Sequence, residues 1–292
     1  MCSIAEKRTA CHGVPHPDTT CITMYNIEHL AEVGLPRPDP DWDRDTFLTY
    51  ARKLTKTDGQ RTIRWGASDQ ILSRTSVWPW LWGAGADLVD ETNKKFLLAE
   101  PEAIDALQWV ADLHHVHGVV GGNFGQQTRS ISMDYPGSLP FITGVEWPFE
   151  WDVILPPAGP VAQVGTWKAN AMAISSSTSH VDEAWMFLQF LLGPNSLGHE
   201  LYMDNRRMAP QTRDQRLWSK FSTPGRSPAS LRDITLLYAE KSRPLPKLVQ
   251  WATIVEGTVT NALNQVKSGR LSAAAAIEQI RPAVEALLAN EP

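Results

Sequence analysis

The alternation of apolar and polar residues predicts short strands separated by amphipathic helices. The clearest helix spans 181–192, where apolar residues recur at helical spacing until Gly193 and Pro194 end it. Another helix is predicted to begin at Pro101 and to stop at Gly118. Further strands are expected at 22–25, 62–67, 131–133 and 151–155, a strand–glycine turn–strand unit at 161–175, and helices at 26–33, 229–241, 248–267 and 272–288. This alternation indicates an α/β architecture.

One segment, residues 74–87 (RTSVWPWLWGAGAD), concentrates indole side chains. Trp78, Trp80 and Trp82 lie there within five residues, in a chain with twelve Trp and five Tyr. Large apolar rings crowded into one segment need a surface to cover, which is either the protein core or the flat C–H face of a sugar. Trp78 and Trp82 are four residues apart and would share a helical face, whereas Trp80 would point elsewhere. Both interpretations stay open at this stage.

Composition excludes several classes of protein. With 292 residues, the chain is long enough for two domains. A net charge of −5 and the absence of a Lys/Arg run argue against nucleic acid and against an anionic membrane surface. Cys2, Cys11 and Cys21 match no zinc motif, and their odd number argues against a disulfide framework.

The motifs that could carry catalysis are weak. His114, His115 and His117 lack the intervening Glu of a zinc-protease helix, so we interpret them as polar partners of a helix C-terminus. Residues 83–85 (GAG) give only half of a dinucleotide fingerprint. We find no nucleophile elbow or phosphate loop, and the acidic residues show no glycosidase spacing. The chain is therefore predicted to have no metal, no cofactor and no catalytic residues.

A series of short motifs runs along most of the chain in a characteristic order. They are 25–30 (YNIEHL), 34–36 (GLP) with 41–47 (DWDRDTF), 78–87 (WPWLWGAGAD), 101–107 (PEAIDAL), 151–160 (WDVILPPAGP), 173–175 (AIS) with 180–191 (HVDEAWMFLQFL), 208–210 (MAP) and a helix over 269–287. This order resembles the sugar-binding extracellular solute-binding proteins of ABC importers, the family of maltodextrin-binding protein. The resemblance implies a two-lobe periplasmic-binding-protein type II fold, with a hinge and a ligand cleft between the lobes.

The resemblance also implies which residues face the cleft. It assigns stacking, close backbone approach or polar contact to Trp78, Trp82, Asp134, Tyr135, Gly165, Trp167, Arg207 and Trp251. Indoles can stack on the C–H face of a pyranose while Arg and Asp bind its hydroxyls. Trp42, Trp65, Trp109 and Trp185 are expected to pack in the interior instead. At Leu139 the family usually has a Trp, so one stacking platform differs here.

Mapped onto this family, the chain divides unevenly. Residues 21–160 and 222–292 are expected to form the second lobe, 161–221 a remnant of the first lobe with the hinge crossings, and 1–20 an irregular N-terminal segment. The N-terminal part of the family has no counterpart, so the first lobe is expected to be incomplete and the isolated chain to bind ligand poorly. The family is periplasmic or lipid-anchored, although the chain as written begins without the apolar segment of a signal peptide.

The function expected from these observations is non-catalytic binding of a mono- or oligosaccharide for delivery to the permease subunits of an ABC importer, by a monomer without nucleic acid. Two alternatives stay open. One is a carbohydrate-active hydrolase. The other is a receptor of the same fold for a polyamine, a glycerophosphodiester or a peptide. An acidic cleft would favour the polyamine, and further Arg or Lys beside Arg207 would favour the phosphodiester.

Overall fold

The computed structural model describes residues 13–20, 22–68, 73, 76–134, 147–193, 197–198, 200–201, 219 and 228–291. The strands are β1 Gly13–Thr20, β2 Ile22–Asn26, β3 Lys56–Asp58, β4 Arg61–Arg64, β5 Ile131–Asp134, β6 Trp151–Ile154, β7 Gly165–Ala173 and β8 Ser242–Pro244. The helices are α1 Ile27–Glu32, α2 Arg44–Leu54, α3 Trp78–Gly83, α4 Pro101–His115, α5 Val181–Leu192, α6 Leu231–Lys241, a π-helical segment Ala252–Val259, α7 Thr260–Lys267 and α8 Ala273–Leu288. The predicted mixture of helices and strands is confirmed.

Helix boundaries follow from local chemistry. Helix α4 begins at Pro101, whose fixed φ and missing N–H suit a first helical position. The chain turns shortly after the helix at Gly118, which has a φ of 59°. Helix α2 begins after Asp43, whose carboxylate accepts a hydrogen bond from the Thr46 N–H at 2.8 Å. Helix α5 has the predicted bounds.

A three-stranded antiparallel sheet in the order β5–β2–β6 lies between two apolar clusters. Alternate β2 side chains point to opposite faces, as the pleat requires. Ile22 and Met24 join the cluster that includes Tyr238 of α6, whereas Tyr25 joins the larger helical cluster. The sheet is therefore covered on both faces.

A second sheet has the order β1–β7–β8, with β1 antiparallel and β8 parallel to β7. Residues 13–20 are thus a regular strand, and the prediction of an irregular segment over 1–20 is wrong for them. The prediction rested on Pro15 and Pro17, because proline favours turns and is rare inside a sheet. Two prolines two residues apart direct their ring nitrogens to the same side, and an edge strand tolerates them there because that side needs no donor.

The predicted strand–turn–strand unit over 161–175 is also wrong in its first half, because only β7 forms. The residues before it pack on α3 instead. The N–H groups of Val161 and Ala162 donate to the Gly83 carbonyl at 2.9 and 3.1 Å. Gly83 and Gly159 lie so close that a Cβ on Gly159 would stand 2.3 Å from the Gly83 carbonyl carbon. This contact holds α3 against the segment that precedes β7.

The largest apolar cluster lies among α2, α3, α4, the π-helical segment, α7 and α8. In and just after the π-helical segment, threonine hydroxyls reach carbonyls five residues back: Thr258 Oγ1 donates to Thr253 O at 3.0 Å, and Thr260 Oγ1, at the start of α7, to Val255 O at 2.7 Å. Helices of this type occur often at functional sites. Helix α5, in contrast, leaves apolar side chains such as Met186 and Phe187 exposed. Among the described helices, none has both the length and the apolarity needed to cross a membrane.

Candidate functional site

Helix α3 places two indoles against each other. Trp78 and Trp82 lie on one face, with ring centroids 5.4 Å apart, whereas Trp80 packs on Phe47 and Trp109 on the other side. The predicted division of the three indoles between two helical faces is therefore confirmed. All three are at least 95% buried, and Trp78 and Trp82 are each only 2% exposed. Much of the tryptophan segment therefore belongs to the core.

A third indole, Trp251, lies on Trp78 and reaches the surface. It stacks on Trp78 with a centroid distance of 5.9 Å and an interplanar angle of 28°. Unlike Trp78, it is only partly buried. The outermost ring of this stack is therefore Trp251, and Trp78 of α3 lies directly beneath it.

A carboxylate that follows the C-terminal end of α8 fixes the backbone directly before Trp251. Glu291 accepts hydrogen bonds from the N–H groups of Val249 at 2.9 Å and Gln250 at 2.8 Å, directly before Trp251. The Gln250 side-chain amide donates to the Leu287 carbonyl at 3.0 Å. Glu291 is only 5% exposed. It therefore holds the turn that leads into the π-helical segment, directly before Trp251.

A charged pair lies on the Trp82 side of the stack. Trp82 Nε1–H donates to Asp87 Oδ1 at 3.0 Å, and Arg243 Nη2 donates to Asp87 Oδ2 at 2.8 Å. The Arg243 guanidinium carbon is 4.9 Å from the centroid of the Trp82 ring, in cation–π contact. We call the group formed by Trp78, Trp82, Asp87, Arg243 and Trp251 the tryptophan site.

Arg243 reaches this site because its strand, β8, pairs with β7. Arg243 lies in β8, opposite Thr166 of β7. Gly165 begins β7, and a Cβ there would stand 2.6 Å from Ser242 Oγ and 2.7 Å from the Tyr238 ring. Glycine is therefore required at this position by the packing of β7 on α6. Its predicted approach to a ligand stays a prediction.

The structure brings together three of the predicted site residues, Trp78, Trp82 and Trp251. Arg207, Tyr135 and the side chains of Asp134 and Trp167 lie outside the described residues, so their predicted roles stay predictions. Asp87 and Arg243 were not predicted. Asp87 closes the tryptophan motif and could have been noticed there, but Arg243 is far away in the sequence and carries no local signal.

Other tryptophans and histidines have structural partners. Trp42 is buried, as expected, and its Nε1–H donates to the Leu155 carbonyl at 2.9 Å. His115 Nε2 lies 3.1 Å from the Val266 carbonyl, and Arg52 donates to His117 Nδ1 at 2.9 Å. Burial and the Arg52 charge lower the pKa of His117. Within the described residues, no cluster of three or more His, Cys, Asp or Glu could hold a metal ion.

A groove of about 330 Å³ lies elsewhere, between α7 and α8. Its lining includes Asn261, Gln265, Arg270 and Gln279 and contains no aromatic ring. Ligand sites usually combine apolar or aromatic walls with a few polar groups. The tryptophan site has that combination, so it is the better candidate.

Solved structures with the same fold define the class of protein. The chain is similar to the ABC substrate-binding protein Lmo0181 of Listeria monocytogenes in complex with cycloalternan (TM-score 0.84, 18% identity, 95% of this chain and 72% of that one). It is also similar to a solute-binding protein of Thermotoga lettingae bound with α-D-tagatose (0.76, 19%, 95% and 72%) and to UgpB of Mycobacterium tuberculosis in complex with glycerophosphocholine (0.73, 18%, 95% and 71%). The fold is that of the two-lobe periplasmic binding proteins.

The amino-acid sequence gives the family. Residues 17–196, more than half of the chain, match the bacterial extracellular solute-binding proteins, and the chain belongs to that family. It is also 22% identical over 203 residues to an uncharacterized lipoprotein in the oleD 5′ region of Streptomyces antibioticus. That match covers 64% of this chain and 44% of the relative, so the chain spans less than half the length of this curated relative.

Proposed function

We propose that this chain binds a carbohydrate at the tryptophan site, for delivery to an ABC importer and without catalysing a reaction. The observation that carries the proposal is the indole stack of Trp78 and Trp251, whose outer ring is partly exposed and is linked through Trp78 and Trp82 to Arg243. Membership of the solute-binding family supports it, as do the similar structures that hold cycloalternan and tagatose.

The chemistry of the site suits a sugar. The apolar C–H face of a pyranose covers an indole face, and removing this area from water is favourable by about 25 cal/mol per Å². The stack beneath Trp251 keeps that ring from turning, which lowers the entropy lost on binding. The Arg243 guanidinium, whose side chain is 52% exposed, offers donors to hydroxyl oxygens at the edge of the aromatic surface. Trp82 and Asp87 orient Arg243 for that role.

A screen of ligands tests this proposal. The chain is mixed with mono- and oligosaccharides, glycerophosphocholine and spermidine at millimolar concentrations, which detect the weak binding expected of this chain alone, and its unfolding temperature is measured. Ligands that bind the folded state raise that temperature, because binding shifts the folding equilibrium. We expect sugars to give the largest increase and to quench the tryptophan fluorescence. An increase with spermidine alone, or with none of the ligands, would contradict the proposal.

A glycerophosphodiester is the second candidate. The similarity to UgpB in complex with glycerophosphocholine favours it, and so does the exposed guanidinium of Arg243, since Arg binds phosphate groups well. It is the weaker candidate because Asp87 already neutralises Arg243 at 2.8 Å. In the same screen, a larger response to glycerophosphocholine than to any sugar would reverse this order.

The remaining features of the proposal follow from the family. Its members are extracellular solute-binding proteins, and we infer a periplasmic or lipid-anchored location, a monomeric state and contact with membrane permease subunits. Absence of catalysis is checked directly. Sugars incubated with the chain and separated by chromatography should be recovered unchanged, whereas hydrolysis products that persist after further purification would favour the hydrolase alternative.

A further inference from the structure

In the Arg243–Asp87 ion pair, the arginine is the more exposed partner. Arg243 is held by two contacts, the ion pair with Asp87 at 2.8 Å and the Trp82 ring at 4.9 Å. Its side chain is 52% exposed, whereas that of Asp87 is 19% exposed. The positive member therefore faces the solvent, and the negative member lies behind it.

Asp87 is anchored so that it cannot leave its partner. One of its oxygens, Oδ1, accepts hydrogen bonds from both Trp82 Nε1–H at 3.0 Å and the Leu88 N–H at 2.8 Å. The other, Oδ2, accepts from Arg243. Hydrogen bonds that involve a charged group, as these do, are stronger than those between neutral groups. Because both of its oxygens already accept hydrogen bonds, Asp87 neutralises and orients Arg243 and does not itself bind the ligand.

The consequence concerns ligand charge. An unpaired arginine beside an aromatic surface attracts carboxylates and phosphates, to which the guanidinium fork donates two parallel hydrogen bonds. With Asp87 in contact, the pair has no net charge, and an anionic ligand would approach the Asp87 carboxylate as well as the guanidinium. A neutral polyol meets no such penalty, and its hydroxyl oxygens accept from the guanidinium N–H groups that face the solvent.

We propose that Asp87 is a specificity-determining residue that makes the tryptophan site select uncharged, hydroxylated ligands over anionic ones. This inference rests on the proposed function, because it assumes that ligands bind at the tryptophan site. Its core is that Arg243 becomes an anion-binding group once Asp87 loses its charge.

The experiment compares two probes that differ in charge, methyl α-glucoside and methyl α-glucuronoside, by isothermal titration. The test variant is Asp87→Asn, whose amide oxygen can still accept from Trp82 and Leu88. We expect the wild-type chain to prefer the glucoside, and Asp87→Asn to shift the ratio of dissociation constants about tenfold toward the glucuronoside. Added salt should weaken glucuronoside binding by the variant, since a half-exposed charge is screened.

Two further variants serve as controls. Asp87→Asn with Arg243→Met should lose the gained affinity for the glucuronoside. Glu285→Gln removes a half-exposed carboxylate that pairs with Arg281 at 3.0 Å within α8 instead of with Arg243, and should leave the ratio unchanged. Near-ultraviolet circular dichroism reports whether each variant keeps its tertiary structure.

The outcomes separate this inference from the proposed function. If the wild-type chain binds the glucoside and Asp87→Asn leaves the ratio unchanged, the inference is wrong and the proposed function stands. If the wild-type chain binds neither probe but Asp87→Asn binds the glucuronoside through Arg243, Asp87 does exclude anions from the site, but the proposed binding of a sugar there loses its support. Failure of both chains to bind either probe would overturn both.

Discussion

The hydrogen bonds of Glu291 to the turn before Trp251 allow a quantitative prediction. Its carboxylate accepts from two backbone N–H groups at 2.8 and 2.9 Å, and the residue is 5% exposed. Hydrogen bonds to charged groups contribute about 1.5–3 kcal/mol each. Glu291→Ala should therefore lower the free energy of unfolding by about 2–3 kcal/mol, since water replaces part of what is lost.

The assay is urea denaturation followed by far-ultraviolet circular dichroism. Glu291→Gln should fall between Glu291→Ala and the wild type, because an amide keeps one acceptor oxygen but loses the charge. The matched control is Glu285→Gln on α8, an exposed carboxylate whose loss should cost less than about 0.5 kcal/mol. In Glu291→Ala, the tryptophan fluorescence should also shift to longer wavelength as Trp251 becomes more exposed. If Glu291→Ala is as stable as Glu285→Gln, Glu291 does not hold the turn before Trp251.

Two further predictions concern pH and packing. Burial, with the Arg64 charge as a smaller cause, lowers the pKa of His29 to about 4, so the unfolded chain takes up a proton first as pH falls. The contribution of neutral His29 to the free energy of unfolding should be fully present above pH 6.5, and about 2 kcal/mol of it should be lost between pH 6.5 and pH 5. Denaturation at both pH values should show this loss in the wild type but not in His29→Gln. Gly159→Ala should lower the unfolding temperature by several degrees, because its Cβ would collide with Gly83. Ala158→Gly, the control next to it, should cost much less, and equal melting of the two variants would contradict the close contact.

Local patterns were sufficient for many of the helices. Apolar spacing, together with Gly193 and Pro194 as the stop signal, gave the bounds of α5. The four-residue spacing of Trp78 and Trp82 placed them together on one face, and the structure confirms it. These predictions succeeded because the physical cause lies within a few residues of the effect.

Contacts between distant parts of the chain could not be derived in this way. Strand β1 exists because it pairs with β7, a segment about 150 residues later, and its prolines gave the opposite local signal. Arg243 reaches the site only because β8 pairs with β7. Tertiary pairing overrides local propensity in such cases. The family resemblance supplied the pairing of Trp78 with Trp251 as residues of one site, but it did not indicate that one ring would cover the other.

The central claim is that a sugar binds on Trp251. The most direct test is isothermal titration of the best-binding sugar from the ligand screen into the wild-type chain, Trp251→Ala and Trp147→Ala. Trp147 is a suitable control because it stacks on Phe149 in the other apolar cluster, 5.5 Å between centroids. We predict that Trp251→Ala weakens binding at least about tenfold, as expected for losing an aromatic platform, and that Trp147→Ala binds like the wild type. Equal affinity of Trp251→Ala and the wild-type chain would contradict the account.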